Sequence, residues 1–237
     1  MRVFAGPNGS GKSTIKDILP SDLLGYYLNP DDLEKALRIR PILDLNSFQL
    51  TVSWQAFQDF LKASTLIHKL GILSTVQKIS VTANVLDVSN VPIDAYLASV
   101  LVDLLRSNLI KAGRPFTFET VMSSVDKLEV LQQAKHNGFR NYLYYIATED
   151  PIINVDRVRH RVNSGGHPVP EEKIISRYYR SLDHLFEAIQ LTERAYLFDN
   201  SGETRTWVAE VTGGRKIELK TDNVPNWFIS YVENKIS

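Results

Sequence analysis

The chain has 237 residues, no cysteine, and 27 Lys+Arg against 27 Asp+Glu, for a formal net charge of zero. The missing thiol removes disulfides, thiolate nucleophiles and cysteine metal sites, and the balanced charge offers no global attraction for nucleic acid or an anionic membrane. The length suits a single α/β domain with insertions, residues 1–237, large enough to bury a sizeable core.

Arg2-Val3-Phe4-Ala5 reads as a short strand, and no charged leader with an apolar run precedes it, so no signal peptide is expected. The most apolar later segment, Tyr96 to Ile110, is interrupted by Asp103 and Arg106 and is too short to cross a bilayer. A cytoplasmic protein with no membrane partner is the simplest expectation.

Directly after the first strand comes Gly6-Pro7-Asn8-Gly9-Ser10-Gly11-Lys12-Ser13. A glycine, four free positions, then glycine, lysine and a hydroxyl residue form the phosphate-loop pattern. Glycines let backbone N–H groups turn inward on phosphate, a lysine reaches the β- and γ-phosphates, and the hydroxyl of Ser13 suits Mg²⁺. Lys12 to Leu19 reads as a helix stopped by Pro20, which places the anion at a helix amino terminus. The expected nucleotide-binding set is Gly6, Asn8, Gly9, Ser10, Gly11, Lys12, Ser13 and Thr14, for ATP or GTP with Mg²⁺.

Gly25 to Leu28 reads as a second strand, with Asn29-Pro30-Asp31-Asp32 at its carboxyl end. Ligands of open parallel sheets sit outside the carboxyl ends of strands, so a carboxylate there points at the site. The same residues make a good turn and helix start. Asp32 is read as the cap of a helix over Leu33 to Ile39, leaving Asp31 for substrate. Residues 41–113 read as a mostly helical insertion. Phe48, Val52, Phe57, Phe60, Leu61 and Ile67 form one approximate stripe and Tyr96, Leu97, Val100, Leu101, Leu104 and Leu105 a clearer one. Ser80 to Asn90 reads as a solvated link that could also line a pocket.

Phe116-Thr117-Phe118 gives a third strand that ends in Glu119, either a metal or substrate contact or the first polar residue beyond the core. Val125 to His136 is helical, and Asn141 to Ala147 is a fourth strand. Arg157, Arg159, His160, Arg161, Lys173, Arg177 and Arg180 then concentrate positive charge around Gly165-Gly166-His167, within about residues 151–180. Arg157 and Arg161 are four apart and share a helix face. Such a stretch is either a lid that closes over triphosphate or a solvated helix with ion pairs, and the phosphate loop favours the lid. Arg194 to Phe198 is a fifth strand, followed by Asp199-Asn200-Ser201-Gly202, a loop that contacts base or metal or is an ordinary turn. A β-hairpin is expected over 206–220, across Gly213-Gly214.

The phosphate loop with Thr14, Asn-Pro-Asp at 29–31, Phe-Glu-Thr at 118–120, Ala-Thr-Glu-Asp-Pro at 147–151, and Arg-Val-Xaa-His-Arg-Val leading to Gly-Gly-His-Xaa-Val-Pro resemble the zeta-toxin-like P-loop kinases. The resemblance runs from residue 1 to about 202 and is weakest in the insertion. It implies an α/β P-loop fold, a mostly parallel five-stranded sheet flanked by helices, with a helical insertion and an arginine-rich lid. It also implies transfer of the ATP γ-phosphate to a hydroxyl of a small molecule; the studied zeta toxins phosphorylate UDP-N-acetylglucosamine. In that family the general base is an aspartate after the second strand, matching Asp31. A glutamate after the next core strand of that family matches Glu119, and Arg157 and Arg161 match its lid arginines, with Arg177 a further candidate. An antitoxin is the protein partner the resemblance adds. A kinase of another metabolite, such as a nucleoside or sugar, shares every motif, and a nucleotide-dependent switch or ATPase acting on a protein partner is the rival from a different class.

Overall fold

The computed structural model describes residues 1–15, 19–165 and 168–236. In chain order, β1 (Arg2–Ala5) feeds the glycine loop, which passes into one 3-10 turn at Lys12–Thr14. The helix expected from Lys12 to Leu19 continues into residues 16–18, outside the described residues, as do Gly166 and His167 of the expected lid. Next come β2 (Tyr26–Leu28), α1 (Pro30–Ile39), β3 (Ile42–Asp44), α2 (Trp54–Ala63), α3 (Thr65–Leu70), α4 (Leu73–Val76), β4 (Ser80–Thr82), β5 (Val85–Asp87) and α5 (Ala95–Lys111). The remainder is β6 (Phe116–Thr120), α6 (Asp126–His136), β7 (Tyr142–Ala147), α7 (Pro151–Asn163), α8 (Glu171–Asp183), α9 (Leu185–Gln190), β8 (Arg194–Asp199), β9 (Thr206–Thr212) and β10 (Lys216–Leu219), closed by a helical turn at Asn226–Phe228. These elements form two compact units, Met1–Leu24 with Thr117–Ser237, and Gly25–Phe116.

In the first unit the strands follow the order β10-β9-β8-β7-β1-β6. β1 runs parallel to β6 and β7, and β7 parallel to β8, so the fold is mixed α/β with a mostly parallel sheet. Near-continuous apolar runs such as Leu143 to Ala147 suit strands covered on both faces by helices. On one face Phe4 meets Tyr144 edge-on at 5.5 Å and Tyr144 stacks on Tyr196 at 4.8 Å. On the other, the fully buried Tyr145 reaches Ser181 of α8, with 3.0 Å between the hydroxyls, and Trp227, 6.2 Å away by ring centroids. The expected hairpin forms, and β9 also pairs antiparallel with β8, so the hairpin extends the main sheet. Because four parallel strands end together, β6, β1, β7 and β8 all discharge their loops at one edge. Where the chain leaves and re-enters this unit, Thr117 Oγ1 donates to the Leu24 carbonyl at 2.6 Å.

The second unit is built on α5, whose amino terminus is capped by the Asp94 carboxylate accepting from the Tyr96 and Leu97 amides at 2.9 and 2.8 Å. Its apolar residues are buried on most sides, and α1 packs along it. The insertion is mostly helical, as the sequence reads, but it also holds a small sheet. β3, β5 and β4 form a three-stranded antiparallel sheet, and the stretch read as a solvated link, Ser80 to Asn90, is largely its hairpin. Ala83 and Asn84 take φ of 51° and 64°, the left-handed pair that a two-residue hairpin of type I′ requires. At the unit's own ends, the Tyr26 amide donates to the Pro115 carbonyl at 3.1 Å.

Candidate functional site

The glycine loop leaves β1 at the middle of the parallel strands and is gripped there by helix α7 and by the loop after β8. Gly9 sits at φ +77°, and a Cβ on it would lie 2.6 Å from the Asn154 carbonyl oxygen; a Cβ on Gly11 would lie 2.5 Å from the Asn200 side-chain amide. Both glycines therefore mark places where a neighbour is pressed onto the loop. Asn154, fully buried on α7, donates its side-chain amide to the Asn8 carbonyl at 2.7 Å and accepts from the Thr148 hydroxyl. Asn200, just beyond β8, donates to the Ser10 carbonyl at 2.8 Å. Thr14 Oγ1 closes the turn by donating to the Gly11 carbonyl at 2.9 Å.

Positive charge converges on the same loop. Lys12 Nζ turns back to donate to the Gly6 and Pro7 carbonyls at 2.9 and 2.8 Å. Arg157 donates to the carbonyls of Asn200 at 2.6 Å and Gly202 at 3.2 Å, which ties α7 to the loop after β8. Arg177 of α8 reaches Asn8 Oδ1 at 3.5 Å. Arg205 donates to Thr14 Oγ1 at 3.0 Å and rests its guanidinium over Phe198, 5.6 Å from the ring centroid. Ser10 is fully buried, and its Oγ has no hydrogen-bond partner among the described residues. Buried polar atoms are rarely left this way, so an unpaired hydroxyl inside a glycine cradle fits an anionic ligand that supplies the partner.

Of the remaining expected residues, Glu119 lies opposite Phe4 in the β1–β6 register, half-buried one residue before the strand ends. Arg161 is exposed on α7, one turn beyond Arg157, and Ser13 is exposed within the 3-10 turn. Asp31 is exposed in the first turn of α1, in the second unit. The assignment of Asp32 as helix cap is corrected: the cap is Asn29, whose side chain accepts from the Asp31 amide at 2.9 Å, and the helix begins at Pro30. Asparagine is a strong cap and proline is pre-organised for the first helical position, so the pair moves the start two residues upstream of Asp32.

Two further participants went unread in the sequence. Arg205 lies beyond the last recognised motif, and nothing local distinguishes it. Asn154 had a usable signal: a single amide between Ile153 and Val155 on an otherwise apolar helix face. Asp199, left open as a base or metal contact, has its carboxylate occupied by the Ser201 amide and hydroxyl and by the Trp227 indole. No group of three or more His, Cys, Asp or Glu among the described residues could hold a metal ion. No helix among the described residues is long and apolar enough to cross a membrane.

No family model matches the sequence. An uncharacterised protein of Haemophilus influenzae is 36% identical over 69 residues, covering 29% of this chain and 49% of its own length. The crystal structure of AvrRxo1-ORF1:-ORF2 with ATP is similar in fold, with a TM-score of 0.55 and 16% identity over 92% of this chain and 60% of that one. The same complex with sulphate ions gives a TM-score of 0.50 and 17% identity over 93% and 60%. The chain thus spans about half the length of its curated relative and 60% of the solved chain. At these identities the structural likeness is one of fold.

Proposed function

We propose that the protein is an ATP-dependent phosphotransferase of the zeta-toxin-like kind, which moves the γ-phosphate of ATP to a hydroxyl of a small molecule, a sugar nucleotide such as UDP-N-acetylglucosamine. The observation that carries this reading is the glycine cradle at the carboxyl edge of the parallel strands, with Lys12, Arg157, Arg177 and Arg205 all bonded to it or to the loop beside it. The fold likeness to a protein solved with ATP adds support.

In this mechanism the loop amides and Lys12 hold the β- and γ-phosphates, Lys12 exchanging its carbonyl partners for phosphate oxygens. Ser10 Oγ gains the partner it lacks. Ser13 would hold Mg²⁺, whose contribution when bound is to neutralise phosphate charge. Asp31 accepts the proton of the acceptor hydroxyl; that oxygen forms the new bond to the γ-phosphorus while the bond to the β–γ bridging oxygen breaks and ADP departs. Arg161 and Arg177 offset charge on the transferring group, and Glu119 at the strand edge would contact the acceptor or the metal. Positioning and electrostatics carry most of such a rate, because phosphoryl transfer asks for little covalent chemistry from protein. An antitoxin-like protein is the partner we propose, in a cytoplasmic setting, as the resemblance of the motifs implies; the similar structure likewise pairs ORF1 with ORF2.

The test is mass spectrometry of Mg-ATP reactions containing a pool of UDP-sugars, nucleosides and free sugars, with wild type and Asp31→Asn in parallel. We expect one phosphate gained on a UDP-amino sugar, slowed roughly 10²- to 10⁴-fold in the variant, the scale for loss of a general base. Phosphate gained only on a nucleoside or free sugar removes the sugar-nucleotide assignment. Unaltered turnover in Asp31→Asn removes Asp31 as base.

A further inference from the structure

The segment after β10 carries no sequence motif, yet it returns to the site. Trp227 is 3% exposed and packs beside Tyr145, and its indole Nε1 donates to Asp199 Oδ2 at 2.8 Å. The same carboxylate accepts from the Ser201 amide at 2.9 Å and the Ser201 hydroxyl at 3.0 Å. Ser201 Oγ in turn accepts from the Glu149 amide at 2.8 Å. Asn226 completes the arrangement, its backbone N–H donating to Glu149 Oε1 at 3.1 Å and its side-chain amide to the same oxygen. Two consecutive tail residues thereby fasten the loop after β7 to the loop after β8.

The loop so fastened touches the cradle. Asn200, between Asp199 and Ser201, holds the Ser10 carbonyl, and the Asn200 and Gly202 carbonyls are where Arg157 binds. A serine-bonded aspartate turn can form from local residues alone, and such local bonds do not tie it to the rest of the fold. The indole N–H, a donor to a carboxylate from a buried ring, fixes the turn to the core by a charge-assisted bond. Arg205, which reaches Thr14, lies three residues past Gly202 on the same loop.

We infer that Trp227 is a positioning residue for the nucleotide: through Asp199 it sets the loop of residues 199–205 against the phosphate loop, making the C-terminal segment a determinant of nucleotide affinity. The inference rests on the reading of the cradle as the ATP site. Trp227 acts on that loop through the Asp199 carboxylate.

Trp227→Phe keeps an aromatic ring beside Tyr145 and deletes the N–H. With a non-hydrolysable ATP analogue in calorimetry, we expect the Kd of Trp227→Phe to rise roughly 10-fold, the scale of one hydrogen bond to a charged group. The ATP KM should rise in step, while kcat at saturating ATP stays within about 2-fold, as expected when binding geometry rather than the chemical step is affected. Amide hydrogen exchange of the ligand-free protein should speed up at residues 200–205 and be unchanged in α6. Asp199→Asn weakens binding as well, and adding Trp227→Phe to it should change Kd little further, because both act through one contact. Wild type that binds the analogue beside a Trp227→Phe protein of equal affinity overturns the positioning role and leaves the ATP site standing. Fully additive losses in the double variant also overturn it. A folded wild type that fails to bind the analogue overturns both the ATP site and this inference.

Discussion

The backbone at Gly9 sits at φ +77° with the Asn154 carbonyl oxygen 2.6 Å from where a Cβ would be, while Gly138, at φ +79°, has nothing within 4 Å. Alanine at either position pays for the left-handed backbone, a cost of roughly 1 kcal/mol. Only at Gly9 must another piece of backbone also move. Gly9→Ala should therefore lower the unfolding free energy by about 2–3 kcal/mol against about 1 kcal/mol for Gly138→Ala, read from urea midpoints; equal losses would show that the Asn154 contact yields freely. Legibility at this scale follows how local each role is. Lys12 and Ser13 stand at fixed offsets in one loop and can be read from spacing alone. Asn154 and Arg205 act on partners 146 and 191 positions away, Asn8 and Thr14, and only the folded sheet brings them there. The Asp32 cap fails for a smaller reason: Asn29 and Pro30 carry the stronger start signal, three residues earlier than the Asp32-Leu33 start.

Among the elements, the parallel strands were legible because a strand covered on both faces reads as an unbroken apolar run, as Leu143 to Ala147 does. The β4–β5 hairpin was not, since its strands are three residues each and its turn uses Ala83 and Asn84 where Asn-Gly or Asp-Gly would have announced it. Contact between β7 and α8 runs through Tyr145, whose hydroxyl meets Ser181 Oγ, itself a donor to the Val121 carbonyl at 2.7 Å. Burial pushes the Tyr145 phenol far above its usual range, against the smaller opposing effect of the Ser181 bond. Folded protein thus keeps this proton at pH values where the unfolded chain, titrating near 10, releases it. Stability is therefore complete below about pH 10 and falls as pH rises beyond it. Tyr145→Phe should cost about 1 kcal/mol at pH 8, one hydrogen bond, and make the decline between about pH 10 and 11.5 shallower in urea titrations. A decline of unchanged steepness would place the sensitivity on other groups, such as Tyr178, which burial also raises.

For the molecule as a whole, the residues described above around the cradle, Asn154, Arg157, Arg177, Asn200 and Arg205, all belong to the first unit. A ligand bound only by the native state stabilises by mass action, about 2.7 kcal/mol at 100 times its Kd. Mg-ATP should accordingly raise the melting temperature of wild type and leave Lys12→Ala unshifted. Added hydrogen-exchange protection should concentrate in residues 6–14, 148–157 and 199–205. A thermal shift of equal size in Lys12→Ala would detach the stabilisation from the phosphate loop.

The junction between the units has a consequence for how such a protein changes over time. Leu24 and Thr117 are bonded to each other on one side of the crossing, and Tyr26 and Pro115 on the other. The 92 residues of Gly25–Phe116 therefore begin and end at one spot. Closing a loop grows only slowly more costly with its length, so a stretch with joined ends can be lengthened or shortened in its interior without pulling on the strands that frame the cradle. Asp31, the base proposed above, lies in this stretch but ahead of the insertion at 41–113, so changes inside the insertion can leave both that aspartate and the phosphate loop in place.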